Sequence, residues 1–243
     1  MTGALIVAAV QCAPLFDDVA GASAHILACA RRATDARAQI ILFPEAWLQG
    51  HSYAAEKVAR RALPVDDPAI LDLAERLGAL PITAVIGFFE RRGDLIHNSA
   101  MVIADGRVIG SYAKHDPREG GCTPGTDRPL FDCAGWSFAI SICRDTRSPD
   151  LARDLAERGA KLLCYPLGNM LPPDIAAQNR RFTLDCHAPR ARETGCWILS
   201  ADVVGTHDGW HAHGNTRLLD PAGEIVAEVP EGECGMIVAS IRP

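Results

Sequence analysis

Short apolar runs of strand length alternate with helical patterns along this chain, and this alternation restricts its fold more than any other feature. Leu5–Val10 is a β-branched run and Ile40–Phe43 is wholly apolar, whereas the pattern between them, from Val19 to about Arg37, is helical. Asp67 before Pro68 is typical of a helix start, and Gly78 ends that helix. The first third of the chain therefore predicts an α/β fold.

A strand–helix–strand unit in the second half gives the clearest local signal. The strand-like run Trp136–Ile142 precedes a helix that opens at Ser148-Pro149, continues through Arg158 and is capped by Gly159. Lys161–Tyr165 then returns as a strand. This unit extends the α/β prediction to the second half of the chain.

The segment between these two regions predicts antiparallel strands. Ile82–Phe88, Asn98–Ala104 and Arg107–Tyr112 are strand-like, and Asp105-Gly106 is a strong hairpin dipeptide. After the second α/β unit come a long helix and four further strands: Ile175–Thr194, then Trp197–Ala201, Asn215–Leu219, Glu224–Glu228 and Met236–Ile241. About ten strands and four helices predict two sheets packed face to face with helices outside, in one domain over residues 1–243.

Composition excludes several classes of protein. With 30 acidic and 24 basic residues the net charge is −6, which argues against a general nucleic-acid binder. The chain shows no basic stretch before its first apolar run and no apolar run near ~18 residues, so we expect a cytoplasmic protein without a membrane span. Nine cysteines without a CxxC pair predict free thiols, most of them in the core, rather than a disulfide scaffold or zinc ribbon.

Three predicted strands lead into a charged or nucleophilic residue. Ile40–Phe43 leads to Glu45, Arg107–Tyr112 leads to Lys114, and Trp136–Ile142 leads to Cys143. Each residue has an ordinary alternative: a surface or salt-bridged glutamate, a solvated lysine, a small buried cysteine. If the strands are neighbours, the three groups meet at one edge and form an activated cysteine nucleophile. The hypothesis depends on this conjunction.

The position of Cys143 also predicts its ionisation. Because Ser148-Pro149 follows only five positions later, we expect the sulfur to lie near a helix N-terminus. The helix dipole and the Lys114 ammonium would both favour a thiolate there.

These motifs resemble the three signatures of the nitrilase, or carbon–nitrogen hydrolase, superfamily in order and spacing: FPE at 43–45, YAKH at 112–115 and ICRDTRSPD at 142–150. Supporting segments such as VAAVQCAP and NTRLLDPAGEIVAE extend the resemblance over almost the whole chain. The resemblance implies an α-β-β-α sandwich with Glu45 as general base, Lys114 stabilising charge and Cys143 as nucleophile. It also implies catalysis without a metal or organic cofactor.

Further site residues follow from the resemblance. A second glutamate is often found between the lysine and a downstream Pro-Gly, and Glu119 precedes Pro124-Gly125 here. Tyr53, Trp47 and Asn169 are expected to line the substrate pocket, and the backbone N–H of Arg144 is expected to help hold the oxyanion. Each has the alternative of ordinary loop packing. The aromatic residue that usually follows the catalytic cysteine is missing from Arg147-Ser148-Pro149-Asp150, which affects the shape of the pocket.

The resemblance favours an amidase. Cys143-Arg144-Asp145 is more like the Cys-x-Asp of amide hydrolases than the Cys-Trp-Glu of true nitrilases. The expected substrate is a small carboxamide, an ω-amide or an N-carbamoyl compound. A nitrilase and a non-catalytic binding or scaffold protein on the same fold are the alternatives.

Two expectations concern assembly and metals. A homodimer or higher homo-oligomer is expected by resemblance. His207, His211 and His213 invite a metal site, but their surroundings favour a loop over a pocket or an assembly surface.

Overall fold

Two six-stranded sheets and five α-helices make up the described part of the chain. The computed structural model describes residues 3–243, apart from the side chains at positions 182 and 183. The helices are α1 (Val19–Asp35), α2 (Ala55–Arg61), α3 (Pro68–Leu77), α4 (Pro149–Glu157) and α5 (Pro173–Thr194), with a 3₁₀ helix at Cys143–Arg147. The strands are β1 (Leu5–Gln11), β2 (Ile40–Leu42), β3 (Thr83–Arg92), β4 (Leu95–Ala104), β5 (Arg107–Ala113), β6 (Phe131–Cys133), β7 (Trp136–Ile140), β8 (Leu162–Pro166), β9 (Trp197–Ala201), β10 (Val204–His207), β11 (Trp210–His213), β12 (Arg217–Leu219), β13 (Ile225–Glu228) and β14 (Gly235–Ile241).

The two sheets have matching topologies. The first has the order β14-β1-β2-β3-β4-β5 and the second β13-β12-β9-β8-β7-β6. In each, three neighbouring parallel strands carry antiparallel strands on both sides: β1, β2 and β3 in the first sheet, β7, β8 and β9 in the second. The carboxyl ends of parallel strands are where α/β sheets place ligand sites, so each sheet supplies one such edge.

The core has three layers that explain why the sheets and helices stack. Between the sheets, side chains of β1 such as Leu5 and Val7 share one buried cluster with Leu162 and Leu199 of the second sheet. Helices α1 and α3 bury their apolar faces on the outside of the first sheet, while α4 and α5 cover the second. The order is therefore helix, sheet, sheet, helix, as the sequence predicts.

Short elements are where the prediction was wrong. The segment around His207, His211 and His213 was expected to be a loop, but it forms the hairpin β10–β11. Helix α2 and strand β6 were not predicted at all. Strand β7 also ends at Ile140, two residues before the predicted end. These pieces are three to seven residues long, and so short a run carries little periodicity of its own.

Two global expectations can be compared with the structure. All nine cysteines have free thiols, and five of them are buried: Cys12, Cys29, Cys133, Cys164 and Cys196. In the part of the chain that the structure describes, none of the helices combines the length and apolar character that a membrane crossing requires. The single domain over 1–243 stays a prediction, and its first two residues lie outside the described part.

Candidate active site

The site is built from strand ends of both sheets. Glu45 follows β2 and Lys114 directly follows β5 in the first sheet, whereas Cys143 and Asn169 follow β7 and β8 in the second. The backbone N–H of Glu45 donates to the carbonyl of Leu167 at 3.1 Å, which joins the two edges directly. Residues far apart in the chain thus meet where the sheets meet.

Lys114 lies between two carboxylates. Its Nζ donates to Glu45 Oε1 at 2.6 Å and to Glu119 Oε1 at 2.9 Å. All three side chains are almost fully buried, with at most 3% of their surface exposed. A buried lysine is stable only when it is paired, so the glutamates and the ammonium need one another. The expected second glutamate, Glu119, is in direct contact with the lysine.

Two residues that sequence analysis missed complete this group. The side-chain amide of Asn98, on β4, donates to Glu45 Oε1 at 2.7 Å. His51 Nε2 lies 2.9 Å from Glu119 Oε1, so the imidazole donates to that carboxylate. Asn98 has no exposed surface and lies between His97 and Ser99 in a buried polar stretch of β4, which is the signal that could have identified it.

The electrostatics keep Lys114 protonated. Burial alone lowers the pKa of Lys114, but the charges of Glu45, Cys143 and Glu119 outweigh burial and raise it well above its ordinary value. For the carboxyl group of Glu119, burial raises the pKa, but the hydrogen bond from His51 and the charge of Lys114 lower the pKa overall. Lys114 therefore acts as a fixed positive charge rather than as an acid.

Cys143 does not have the environment expected of a thiolate. It begins the 3₁₀ helix rather than lying at the start of α4, and burial raises the pKa of its thiol well above the ordinary value. The nearby Glu45 charge raises it further, and the opposing effect of Lys114 is smaller. Burial and the Glu45 charge thus favour the neutral thiol of Cys143 over the expected thiolate.

The backbone at Cys143 is strained. Its φ is +44°, a left-handed value that residues other than glycine rarely adopt. Asp145, two residues later, fixes this turn, because its carboxylate accepts from the Tyr112 hydroxyl at 2.6 Å and from the backbone N–H groups of His115 and Asp116. Asp145 therefore ties the segment that carries Cys143 to the segment that follows Lys114.

A second polar chain starts at the sulfur. Cys143 Sγ lies 3.8 Å from Asn169 Oδ1, and Asn169 donates from its backbone N–H and its amide to the two oxygens of Asp202 at 3.1 and 2.8 Å. Asp202 is fully buried and also accepts from the Asn215 amide and the Val203 backbone N–H. Asp202 was missed because nothing in the local sequence marks it.

Cys143 opens into a cavity of about 160 Å³. Lys114, Glu119, Cys143 and Asn169 all line it. Cationic side chains are frequent among the other lining residues: Arg118, Arg144 and Arg147. Arg144 Nε donates to Asp116, and Arg118 pairs with the same carboxylate at 3.2 Å.

A larger cavity of about 350 Å³ adjoins the first. Glu45 and Trp47 line only the larger one, while Tyr53 and Gly168 line both. Of the residues expected in the substrate pocket, Tyr53, Asn169 and Arg144 therefore surround the nucleophile's cavity, and the buried Trp47 lies beside the other. Their substrate contacts stay predictions.

Two glycines allow Glu45 to reach this position. A Cβ placed on Gly168 would lie 2.7 Å from Glu45 Oε2, and one on Gly87 would lie 2.3 Å from the carbonyl oxygen of Pro44. Real Cβ atoms do not approach other non-bonded heavy atoms this closely. The loop that carries Glu45 packs into space that only glycine leaves free.

The three histidines considered as metal ligands serve other contacts. His207 stacks on Phe16 with ring centroids 4.0 Å apart, and His213 Nδ1 lies 3.2 Å from His211 Nε2 and 2.9 Å from Glu231. In residues 3–243 the group of three side chains whose metal-type ligand atoms all lie within 4.8 Å of one another is Glu45, His51 and Glu119. The Lys114 ammonium bonds both of those carboxylates, so it already supplies their positive charge.

Comparison with known proteins assigns the family. The carbon–nitrogen hydrolase family model matches residues 6–243, so the chain belongs to the carbon–nitrogen hydrolase family. A relative in Pseudomonas protegens, described as "Hydrolase in pqqF 5'region", is 31% identical over 228 residues, which cover 91% of this chain and 77% of that protein. The resemblance to the nitrilase superfamily is thereby confirmed.

Solved structures support the fold. Saccharomyces cerevisiae Nit3, a member of branch 10 of the nitrilase superfamily, superposes with a TM-score of 0.87 at 22% identity over 99% of this chain and 90% of that one. An amidase from Nesterenkonia sp. gives a TM-score of 0.83 at 24% identity over 98% and 90% of the two chains. The predicted α-β-β-α sandwich of two mixed sheets is confirmed.

Proposed function

We propose that the chain is a cysteine-dependent amidase that cleaves a small amide through a thioester at Cys143. The observation that carries this proposal is the Lys114 ammonium fixed between Glu45 and Glu119 beside the cavity that Cys143 lines. This arrangement supplies a nucleophile, a carboxylate base and a fixed cation in one buried place, which is what acyl transfer requires.

Acylation begins with Glu45. Because the Cys143 thiol is protonated at rest, Glu45 accepts its proton as the sulfur attacks the amide carbonyl carbon. The carbonyl oxygen becomes an oxyanion, and the Lys114 ammonium and the Arg144 backbone N–H stabilise it. When the C–N bond breaks, Glu45 returns the proton to the leaving nitrogen. An acyl thioester remains on Cys143.

Deacylation uses the same groups. A water attacks the thioester carbon while Glu45 accepts its proton, and collapse of the second tetrahedral intermediate breaks the C–S bond as Glu45 returns that proton to the sulfur. The products are a carboxylic acid and the free thiol. Glu119 and Asn98 act by holding Lys114 and Glu45 in position.

The lining of the nucleophile's cavity favours one of the three expected substrate classes. Arg118, Arg144 and Arg147 line it, and guanidinium groups bind carboxylates well. Arg118 and Arg144 share the single carboxylate of Asp116, so that one carboxylate does not balance both of their charges. We therefore propose an ω-amide, whose acyl half ends in a carboxylate. An omega-amidase of Saccharomyces cerevisiae is 24% identical to this chain over 197 residues. In a glutamate-to-glutamine mutant of the Nesterenkonia amidase, the acetamide moiety of fluoroacetamide adds covalently to the active-site cysteine.

The test is hydrolysis of succinamate, followed by ammonia release. We expect turnover that Cys143→Ala abolishes and that Glu45→Gln lowers by roughly 10²–10⁴-fold, the usual contribution of a general base. Cys234→Ala is the matched control, since Cys234 is exposed and lines neither cavity, and it should keep full activity.

Other outcomes separate the alternatives. Ammonia release that persists in Cys143→Ala contradicts the proposal. Faster turnover of cyanopropanoate than of succinamate indicates a nitrilase. No turnover of either, with a folded protein, indicates a binding or scaffold role.

A further inference from the structure

The larger cavity has aromatic walls that the hydrolysis of a primary amide does not need. It lies between the segment after Glu45 and the hairpin β10–β11, and its apolar lining is Phe16, Trp47, Tyr53, Met170, Val203 and Trp210. Tyr53 and Trp210 approach with ring centroids 5.7 Å apart, and His207 stacks on Phe16. Its volume of about 350 Å³ is in the range of small-molecule pockets.

The two cavities divide the catalytic groups between them. Cys143 lines the smaller cavity and Glu45 lines the larger one, and Tyr53 and Gly168 form the boundary. Tyr53 lines the smaller cavity together with Cys143 and Lys114, and it lines the larger cavity together with Glu45. The boundary is therefore beside the reacting atoms.

This division matches the two halves of an amide. The acyl carbon must reach Cys143, whereas the leaving nitrogen must reach Glu45, which returns a proton to it. A substituent on that nitrogen would extend from the smaller cavity past Tyr53 into the larger one. We propose that the larger cavity is a leaving-group subsite and that the enzyme hydrolyses secondary amides of apolar, aromatic amines; this rests on the amidase function proposed above.

The charges around the larger cavity agree with an uncharged occupant. Arg61 donates to Asp17 at 2.7 Å and to the carbonyl of Gly50 at 2.8 Å, so its charge is already compensated. His51 is bonded to Glu119. Lys57 and Asp208 also line the cavity and carry opposite charges. An aromatic ring gains more from such walls than a charged group does.

The chemical step remains balanced for such a substrate. Cys143 forms the C–S bond as the C–N bond breaks, and the thiol proton passes through Glu45 to the nitrogen. The amine leaves as a neutral molecule, and water then releases the acid from the thioester. No further reactant is required.

The experiment compares N-benzylsuccinamate with succinamate, which share an acyl half and differ only in the leaving group. We expect wild type to hydrolyse both, with a higher kcat/KM for the benzyl compound. Trp210→Ala and Phe16→Ala should each lower the ratio of the two kcat/KM values by about tenfold, since a wall of the ring's pocket is removed. Ile225→Ala, an exposed residue on β13 that lines neither cavity, should leave the ratio unchanged.

A binding measurement separates this inference from the amidase proposal. Calorimetry on Cys143→Ala should show tighter binding of N-benzylsuccinamate than of succinamate, and Trp210→Phe should keep most of the difference even if Trp210→Ala folds poorly. If the protein hydrolyses succinamate but neither hydrolyses N-benzylsuccinamate nor binds it more tightly, the leaving-group subsite is contradicted. The amidase proposal is then still supported. Tighter binding without turnover of either amide overturns the amidase and, with it, the leaving-group role.

Discussion

Lys114 shows how single residues set the chemistry of this site. Its ammonium is surrounded by Glu45, Glu119 and Cys143. The negative charges of the two carboxylates and of a Cys143 thiolate raise the pKa of Lys114. Burial and the charge of Glu45 disfavour a resting thiolate, because both raise the pKa of Cys143. A neutral thiol at rest agrees with the proposal that Glu45 accepts the proton of Cys143 as the sulfur attacks.

Asp202 is expected to act as a positioning residue. Its two oxygens accept from Asn169 twice, from Asn215 and from Val203, and Asp202→Asn would replace one of these acceptors with a donor. Asn169 would then turn away from the sulfur. We expect kcat for succinamate to fall about tenfold with a smaller change in KM.

A double-mutant cycle checks this mechanism. If Asp202 acts through Asn169, then Asp202→Asn combined with Asn169→Ala should be no less active than Asn169→Ala alone. Fully additive losses would show that Asp202 acts by another route.

The residues at strand ends could be predicted from the sequence, and Glu119 and Asn169 followed from the family resemblance, whereas Asn98, His51 and Asp202 were missed. Glu45, Lys114 and Cys143 could be found because each follows an apolar run, which is a local pattern. Asn98 and Glu45 are 53 residues apart, and His51 and Glu119 are 68 apart. Such pairs exist only after the sheets have formed, so no local pattern predicts them.

Among the elements, α4 supports the segment that carries Cys143. The Ser148 hydroxyl accepts from the Leu151 N–H at 3.2 Å, and Pro149 occupies the first turn. We expect Ser148→Ala to lower the free energy of unfolding by about 1 kcal/mol, the usual cost of removing an N-cap. Urea unfolding measures it.

Ser148→Asp provides the control for this prediction. Aspartate is also a good N-cap and its charge favours the helix N-terminus, so its free energy of unfolding should stay close to that of wild type. An equal loss in both variants would show that the hydroxyl has a role other than capping.

Elements were predicted in proportion to their length. Helices α1, α3 and α4 each begin with a residue whose side chain caps the first turn, Asp18, Asp67 and Ser148, and all three helices were predicted. The hairpin β10–β11 depends instead on contacts with distant segments, such as the backbone pair between Leu171 and His211. Those contacts involve residues far from the hairpin in the sequence, so the local pattern of the hairpin does not reveal them.

At the scale of the whole molecule, His187 links stability to pH. It is buried on α5 against Tyr165, and burial, together with the charge of Arg217, lowers its pKa to about 3. In the unfolded chain its pKa is about 6.5. Between these values the unfolded state binds more protons, so the free energy of unfolding falls as the pH drops from about 6.5 towards 3.

The contribution of this histidine can be isolated by substitution. One proton gives at most about 1.4 kcal/mol per pH unit. Urea unfolding at pH 7 and pH 5 should therefore show a shallower pH dependence in His187→Leu than in wild type. Equal pH dependence in both proteins would show that His187 is protonated in the folded state as well.

Gly168 and Gly87 also have a consequence for engineering. Both lie beside the candidate catalytic residues, where a randomised library for new substrate range would normally be placed. Any larger residue at either position would collide with the Glu45 side chain or with the backbone around Glu45. Nearly every such variant would therefore displace the candidate base, and its substrate range could not be assayed. Diversity is better placed at Phe16 and Trp210, which border the larger cavity and leave the position of Glu45 untouched.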